Sequence, residues 1–202
     1  ITNGAYPTIT ITRGDKLAIA AGGNATIRYA QATNTYRVSA WDSPVTIRTL
    51  VNGVAGMGQV VAWINGDMGV VYSDNTSLFY KHYTLSTDTW GSEETIDTSL
   101  SYYNNFRGVI TRNQKLVVTW RELTTGNLLY RVRSTGSWGD ESTVVSTLPG
   151  VDGNSYFTST SNVGKAEEVY FFYYNGTNIV YKILTDGSLG NAVILVSSPT
   201  LT

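Results

Sequence analysis

The chain has no cysteine and only one histidine, His82. Without cysteine it forms no disulfide and binds no metal through thiolates. The absence of cysteine does not indicate whether the protein works in an oxidising or a reducing compartment. A single histidine also excludes multi-histidine metal sites and most catalytic arrangements built on histidine. We therefore expect no cofactor and no metal centre.

Charge and long apolar runs are scarce as well. The 202 residues include 14 Lys and Arg against 15 Asp and Glu, a formal net charge of −1, with no basic run. Nucleic-acid binding depends on clustered Lys and Arg, so we expect no nucleic-acid partner. No apolar run approaches the roughly 20 residues that cross a bilayer, so no membrane insertion is expected. Abundant Tyr, Thr, Asn and Gly favour an extracellular protein, secreted or on a virion surface. Because residue 1 is Ile, we expect a mature or excised piece.

What the chain has in abundance is a repeat. A tyrosine preceded by apolar residues recurs at spacings of 51, 50 and 51, as Tyr29, Tyr80, Tyr130 and Tyr181. Short apolar runs around each are separated by turn residues such as Asn65-Gly66-Asp67, and Asn-Gly is a strong hairpin signal. A second marker precedes an aliphatic residue by six positions, in Trp41–Ile47, Trp90–Ile96, Trp138–Val144 and Leu189–Leu195. Four strands repeated at about 50 residues are typical of a β-propeller.

The predicted fold is therefore all-β. We expect a β-propeller of four repeats, each a four-stranded antiparallel meander, within a single domain over residues 1–202. The predicted blades cover approximately residues 6–48, 58–97, 105–145 and 155–196. Two arrangements stay open, a four-bladed ring and part of a larger propeller. Trp63 and Trp120 lie outside the repeated positions and are either core residues or platforms for a ligand.

Three segments carry a resemblance to a known motif. They are Ser86-Thr87-Asp88-Thr89-Trp90, Ser134-Thr135-Gly136-Ser137-Trp138 and Thr185-Asp186-Gly187-Ser188-Leu189, and each matches part of S-x-D-x-G-x-T-W. With them the chain resembles, over nearly its whole length, the BNR-type Asp-box repeats of the sialidase-like propeller superfamily. In that superfamily the motif lies on the turn between the third and fourth strands. Fucose-binding propeller lectins share the same coarse pattern.

The resemblance implies where a ligand would bind. In such propellers the loops between second and third strands, and those between blades, form the binding face. The candidate ligand-binding residues are aromatic or polar: Tyr102, Tyr103, Asn105, Arg121, Glu122, Asp152, Asn154, Tyr174 and Asn175 on those loops, and Arg107 in the strand that follows Asn105. Aromatic rings with a few oriented polar groups suit sugars. The alternative interpretation is that Tyr and Asn occupy any turn-rich surface. The loop from Arg121 to Asn127 is longer than its counterparts and carries both charges.

Three functions follow as hypotheses. The first is a non-catalytic recognition module that binds carbohydrate, with a glycan or cell-surface receptor as partner. The second is a structural or protein-interaction propeller in an assembly with other protein subunits. The third is a sialidase-like glycoside hydrolase fragment, for which the resemblance implies an arginine triad, a tyrosine activated by a glutamate and an acidic residue.

Catalysis is the least favoured of these hypotheses, and no catalytic residue is assigned. The segment Asn105-Phe106-Arg107-Gly108 resembles the F/Y-R-I-P segment of sialidases but lacks its proline. A retaining glycosidase needs two carboxyl groups about 5 Å apart. The adjacent pairs Glu93-Glu94 and Glu167-Glu168 would point to opposite faces of a strand.

Overall fold

The computed structural model describes residues 6–12, 16–22, 26–34, 37–50, 56–74, 76–99, 105–122, 124–149, 157–162 and 167–197. Over these residues the chain forms strands and turns and no helix, so the all-β prediction is confirmed. The chain divides into two compact units, Ile1–Asn104 and Asn105–Thr202, and each unit holds two antiparallel sheets. Among the described residues there is no helix that could cross a membrane.

The first unit contains ten strands. Its first sheet is formed by β1 (Tyr6–Ile11), β2 (Leu17–Gly22), β3 (Thr26–Asn34), β4 (Arg37–Trp41) and β5 (Val45–Thr49). Its second sheet is formed by β6 (Gly58–Ala62), β7 (Met68–Ser73), β8 (Leu78–Thr84), β9 (Thr89–Trp90) and β10 (Glu94–Asp97). His82 lies on β8, the third strand of the second repeat.

The second unit repeats this order. Its first sheet is formed by β11 (Phe106–Ile110), β12 (Leu116–Arg121), β13 (Leu128–Ser134), β14 (Ser137–Trp138) and β15 (Ser142–Val145). Its second sheet is formed by β16 (Phe157–Ser161), β17 (Val169–Tyr174), β18 (Asn178–Thr185), β19 (Ser188–Leu189) and β20 (Val193–Ser197). Four sheets of one topology, in chain order, confirm the prediction of four blade-like repeats.

The predicted fourth strand is in fact two strands. The third strand of each sheet pairs at one end with a short strand and at the other with the last strand. In the second sheet Trp90 ends β9 and Ile96 lies in β10, with residues 91–93 between them. The register of β8 against β10 shifts between Thr95 and Asp97, so Ile96 is a bulge residue. A bulge bends its strand and leaves one extra residue outside the pairing.

The bulge recurs at the second sequence marker. Ile47, Val144 and Leu195 occupy the same shifted position in the other three sheets. Ile47, Ile96 and Val144 are 4%, 1% and 1% exposed, so each bulge residue of the first three sheets is a core residue. Leu195 is 56% exposed, and the last strand presents the apolar side chains of Val193, Ile194, Leu195 and Val196 to solvent.

Each unit has its own core between its two sheets. In the first unit the core consists of Ala18, Ala20, Ile27, Tyr29, Ile47, Leu50, Val60, Met68, Val70, Tyr72 and Phe79. In the second unit it consists of Val117, Leu128, Tyr130, Val144, Leu148, Phe157, Val169, Phe171, Tyr173, Val180 and Leu184. Trp63 and Trp120 are buried, so they are core residues and not platforms.

A lysine connects the two sheets of each unit. Lys81, next to Tyr80, donates from Nζ to the carbonyl of Ile47 at 3.2 Å. At the equivalent position of the fourth sheet, Lys182 donates from Nζ to the carbonyl of Val144 at 2.6 Å. Each lysine therefore bonds to the bulge residue of the sheet that precedes its own.

The Asp-box segments lie where the resemblance places them. Asp88, Thr135 and Asp186 occupy the turns between each third strand and the short strand that follows it. Their φ angles are 54°, 51° and 49°, in the left-handed region that only some side chains tolerate. The second, third and fourth sheets thus share this tight turn as well as their strand order.

Candidate functional site

Two connections meet at one end of each sheet, because the strands are antiparallel. One is the loop between the second and third strands, and the other is the segment that leads to the next sheet. In the second unit the Leu148 N–H donates to the Gly126 carbonyl at 2.8 Å. Nearby, the Thr147 N–H donates to Asn127 Oδ1 at 2.9 Å. These bonds join the loop 121–127 to the segment 146–149, and we call this region the loop end of the second unit.

The charges of the 121–127 loop shape the loop itself. Arg121 Nη2 donates to the Leu148 carbonyl at 3.4 Å. The same guanidinium lies so close to Gly126 that a Cβ there would come within 3.1 Å of Nη2. Gly126 also has a φ of +72°, which favours glycine. The Glu122 carboxylate accepts a hydrogen bond from Thr125 Oγ1. The described residues of the loop are therefore preorganised, and only part of Arg121 and Glu122 reaches the surface.

Tyr174 and Asn175 border the same end. The Tyr174 hydroxyl donates to the Gly176 carbonyl at 2.7 Å. Asn175 Oδ1 accepts from the N–H groups of Thr177 and Asn178 at 3.1 and 2.8 Å, which fixes an Asx turn. A Cβ on Gly176 would lie 3.4 Å from Pro149 Cγ, so this turn lies against the segment 146–149. The structure thus brings Arg121, Glu122, Tyr174 and Asn175 to one end of the second unit.

The other predicted site residues are buried, lie within a strand or lie outside the described residues. Asn105 is buried, and its carbonyl accepts from the Arg121 N–H at 3.1 Å. Arg107 lies near the start of β11, with its guanidinium 6.0 Å from the centre of the Phe157 ring and Nη1 donating to the Phe106 carbonyl at 2.6 Å. Burial lowers the pKa of Arg107 from its ordinary value, and a partly desolvated cation favours an anionic partner. The residues Tyr102, Tyr103, Asp152 and Asn154 lie outside the described part of the chain.

Tyr72 and Glu93 form a tyrosine–glutamate pair, but this pair stabilises the fold and does not supply a nucleophile. The Tyr72 hydroxyl donates to Glu93 Oε2 at 2.6 Å, and Arg48 Nη1 donates to Glu93 Oε1 at 2.6 Å. Tyr72 is fully buried. Its burial and the Glu93 carboxylate raise the pKa of the Tyr72 phenol, which is the opposite of what a nucleophilic phenolate needs.

The second candidate carboxylate pair, Glu167 and Glu168, is also bound to neighbouring side chains. Glu167 accepts from Lys115 Nζ at 2.7 Å. Glu168 is buried and accepts from Asn162 Nδ2 and the Tyr170 hydroxyl, both at 3.1 Å. Within the described residues no three His, Cys, Asp or Glu side chains come together as a metal site.

The first unit contains a pocket that the sequence did not predict. Its volume is about 290 Å³, and it lies between the two sheets of that unit. It is lined by Tyr29, Ala30, Gln31, Asp42, Ser43, Val45, Met68, Tyr83, Asp88 and Trp90. In the sequence, Tyr29 and Trp90 stand out only as markers of the repeat. One signal was available, since Asp42 stands where the other three repeats have Gly91, Gly139 and Gly190 after the Trp or Leu marker.

Known structures resemble the chain, whereas no protein-family model and no curated protein sequence matches it. A Hadza microbial sialidase matches with a TM-score of 0.62 and 12% identity, covering 96% of this chain and 46% of the sialidase. The NanB sialidase from Streptococcus pneumoniae matches with a TM-score of 0.58 and 17% identity, covering 85% of this chain and 29% of NanB. A prolyl endopeptidase matches with a TM-score of 0.53 and 9% identity, covering 95% of this chain and 30% of that chain.

The chain spans less than half the length of the sialidases it matches. At these identities the likeness concerns the fold, and a shared propeller hosts different activities. The all-β repeats, the Asp-box turns and the matched structures agree, and the chain has the fold of the sialidase-like, BNR-type β-propellers.

Proposed function

We propose that the chain is a non-catalytic recognition module that binds carbohydrate at the loop end of its second unit. The observation that carries the proposal is the preorganised set of Arg121, Glu122, Tyr174 and Asn175 around one surface. Binding sites for small ligands combine aromatic surface with a few fixed polar groups. A rigid loop also lowers the entropy that ordering would cost on binding.

The hydrogen bonds and ion pairs of the candidate carboxylates support recognition rather than hydrolysis. Glu93 is held by an arginine and a tyrosine, while Glu168 is buried and hydrogen-bonded. Neither is poised to donate a proton to a leaving group or to attack a sugar. The partner we propose is a cell-surface glycan or a glycosylated receptor, which places the chain outside the cell, on a secreted protein or a virion surface.

The proposal is tested with a glycan array on the full chain, followed by titration of the best ligand. Tyr174→Ala removes the ring and should weaken binding about fivefold, the equivalent of roughly 1 kcal/mol for one aromatic contact. Tyr174→Phe keeps the ring and should bind more tightly than Tyr174→Ala. Asn113→Ala, at the exposed turn between β11 and β12, lies at the opposite end of the sheet that carries Arg121; it is the control and should leave affinity unchanged. Absence of binding at millimolar sugar by a folded chain would contradict the proposal.

A second candidate function is protein interaction within an assembly, and the exposed strand β20 favours it. Val193, Ile194, Leu195 and Val196 are 45%, 58%, 56% and 43% exposed on a strand that pairs, among the described residues, with β18 alone. A contiguous apolar strand at a sheet edge is a typical interaction surface. Sedimentation at rising concentration should show self-association that Leu195→Asp weakens. A mass independent of concentration, together with no captured partner, would count against this role.

A further inference from the structure

The pocket of the first unit combines three aromatic rings with two carboxylates. The ring centroids of Tyr29 and Trp90 lie 5.3 Å apart at 72°, and those of Tyr83 and Trp90 lie 5.3 Å apart at 52°. The rings are thus inclined to one another around the cavity. Asp42 and Asp88 also line it, and none of the described residues that line it is Lys or Arg.

The tyrosine hydroxyls in the pocket already have partners. The Tyr29 hydroxyl contacts Met68 Sδ at 3.0 Å, and the Tyr83 hydroxyl donates to Asp88 Oδ1 at 2.6 Å. This bond to Asp88, followed by burial, raises the pKa of Tyr83 to about 12, so the phenol stays neutral. Asp42 is anchored differently, by its backbone N–H, which donates to the Gln31 carbonyl at 2.8 Å. Its carboxylate is exposed at the pocket.

The second unit shows what the fold requires at the same positions. Strand registers pair Met68 with Tyr83 and Tyr83 with Trp90 in one unit, and Val169 with Leu184 and Leu184 with Leu189 in the other. The aromatic and acidic pocket residues Tyr83, Trp90 and Asp42 therefore correspond to Leu184, Leu189 and Gly139. In the second unit Leu184 belongs to the core, and Leu189 packs against it. The fold is therefore compatible with leucine at the positions of Tyr83 and Trp90. Packing alone does not explain the rings and carboxylates of the first unit.

The chemistry of the lining selects a ligand class. Inclined aromatic faces attract a cation through the ring quadrupole, most strongly when water is excluded. The carboxylates of Asp42 and Asp88 add to the attraction for a cation. The volume of about 290 Å³ accommodates a small ligand. We propose that the pocket of the first unit binds an organic cation with an apolar surface, of the alkylammonium class. This site is separate from the carbohydrate site proposed on the second unit.

The first experiment titrates the full chain with choline chloride at constant ionic strength. Binding is followed by the ¹H–¹⁵N signals of the five tryptophan indoles, one of which is Trp90. We expect a saturable shift of one indole signal, assigned to Trp90 by its loss in Trp90→Leu. The neutral isostere 3,3-dimethylbutan-1-ol has the same shape without the charge, and we expect it to bind about tenfold more weakly. Equal binding of the two compounds would overturn the proposal, as would no shift at tens of millimolar choline.

Variants taken from the second unit provide the second experiment. Trp90→Leu and Asp42→Gly reproduce its residues, and each should weaken choline binding by about fivefold to tenfold. Asp42→Asn removes only the charge and should weaken binding in the same direction, which keeps the test valid if a larger change impairs folding. Trp138→Leu in the second unit is the matched control and should leave choline affinity unchanged. Tight binding of a neutral methyl glycoside with Asp42→Asn unaffected would identify the pocket as a sugar site and refute the proposal.

Discussion

The hydrogen bond between Tyr72 and Glu93 allows a direct test of how the first unit is stabilised. Tyr72→Phe removes one oxygen from a fully buried ring that otherwise keeps its packing. The bond is 2.6 Å long, and hydrogen bonds to charged groups contribute about 1.5–3 kcal/mol. The Glu93 side chain is 37% exposed, so solvent screening favours the lower end of that range. We expect Tyr72→Phe to lower the free energy of unfolding by about 1.5 kcal/mol.

The assay is urea denaturation, supported by a thermal scan. For a chain of this length, about 1.5 kcal/mol corresponds to a fall in Tm of about 3–6 °C. Tyr173→Phe is the matched control, because Tyr173 occupies the equivalent buried position and no described residue bonds to its hydroxyl. Its effect should stay within about 0.5 kcal/mol. Equal losses in the two variants would refute the assignment, as would no coupling energy between Tyr72→Phe and Glu93→Gln.

Two further predictions concern packing and pH. Gly69→Ala places a Cβ 2.5 Å from Cε2 of the buried Tyr80 and should lower the free energy of unfolding by about 2 kcal/mol, measured in urea. Gly139→Ala, whose Cβ meets only a carbonyl at 3.4 Å, should cost less than half as much, and the reverse order would contradict the steric argument. Burial tends to raise the pKa of Asp67, but hydrogen bonds, led by the one from the Leu85 N–H, lower it below its ordinary value. The resulting stabilisation is present above about pH 4 and lost as the pH falls through the lowered pKa, so Asp67→Asn should lose less stability than wild type on acidification; identical acid profiles would exclude this role.

The repeat itself could be predicted because packing imposes it. The four tyrosines pair with equivalent residues of the second strands, such as Ala20 for Tyr29 and Val71 for Tyr80. The division of the last strand could not be predicted. A spacing of six residues between Trp90 and Ile96 fits an unbroken strand equally well, and only the backbone register reveals the bulge.

The candidate site was predicted less well, for two physical reasons. Polar residues in loops form hydrogen bonds with their own loop, as Glu122 does with Thr125, and a sequence does not show these bonds. Asn105 was predicted to face a ligand, yet it is buried next to the strand that carries Arg121. The pocket of the first unit was missed for the opposite reason, because Trp90 both packs on the core and lines a cavity.

The lysine bond between sheets has a consequence for the origin of such arrays. Lys81 and Lys182 each bond to a backbone carbonyl of the preceding sheet, and every residue offers that acceptor. A duplicated gene segment that encodes a sheet with this lysine therefore carries its own means of attachment to whatever sheet precedes it. The acceptor needs no matching side chain, so the two copies are free to diverge after duplication. Selection then acts on the pocket and the loops of each copy without having to preserve a specific partner at the junction.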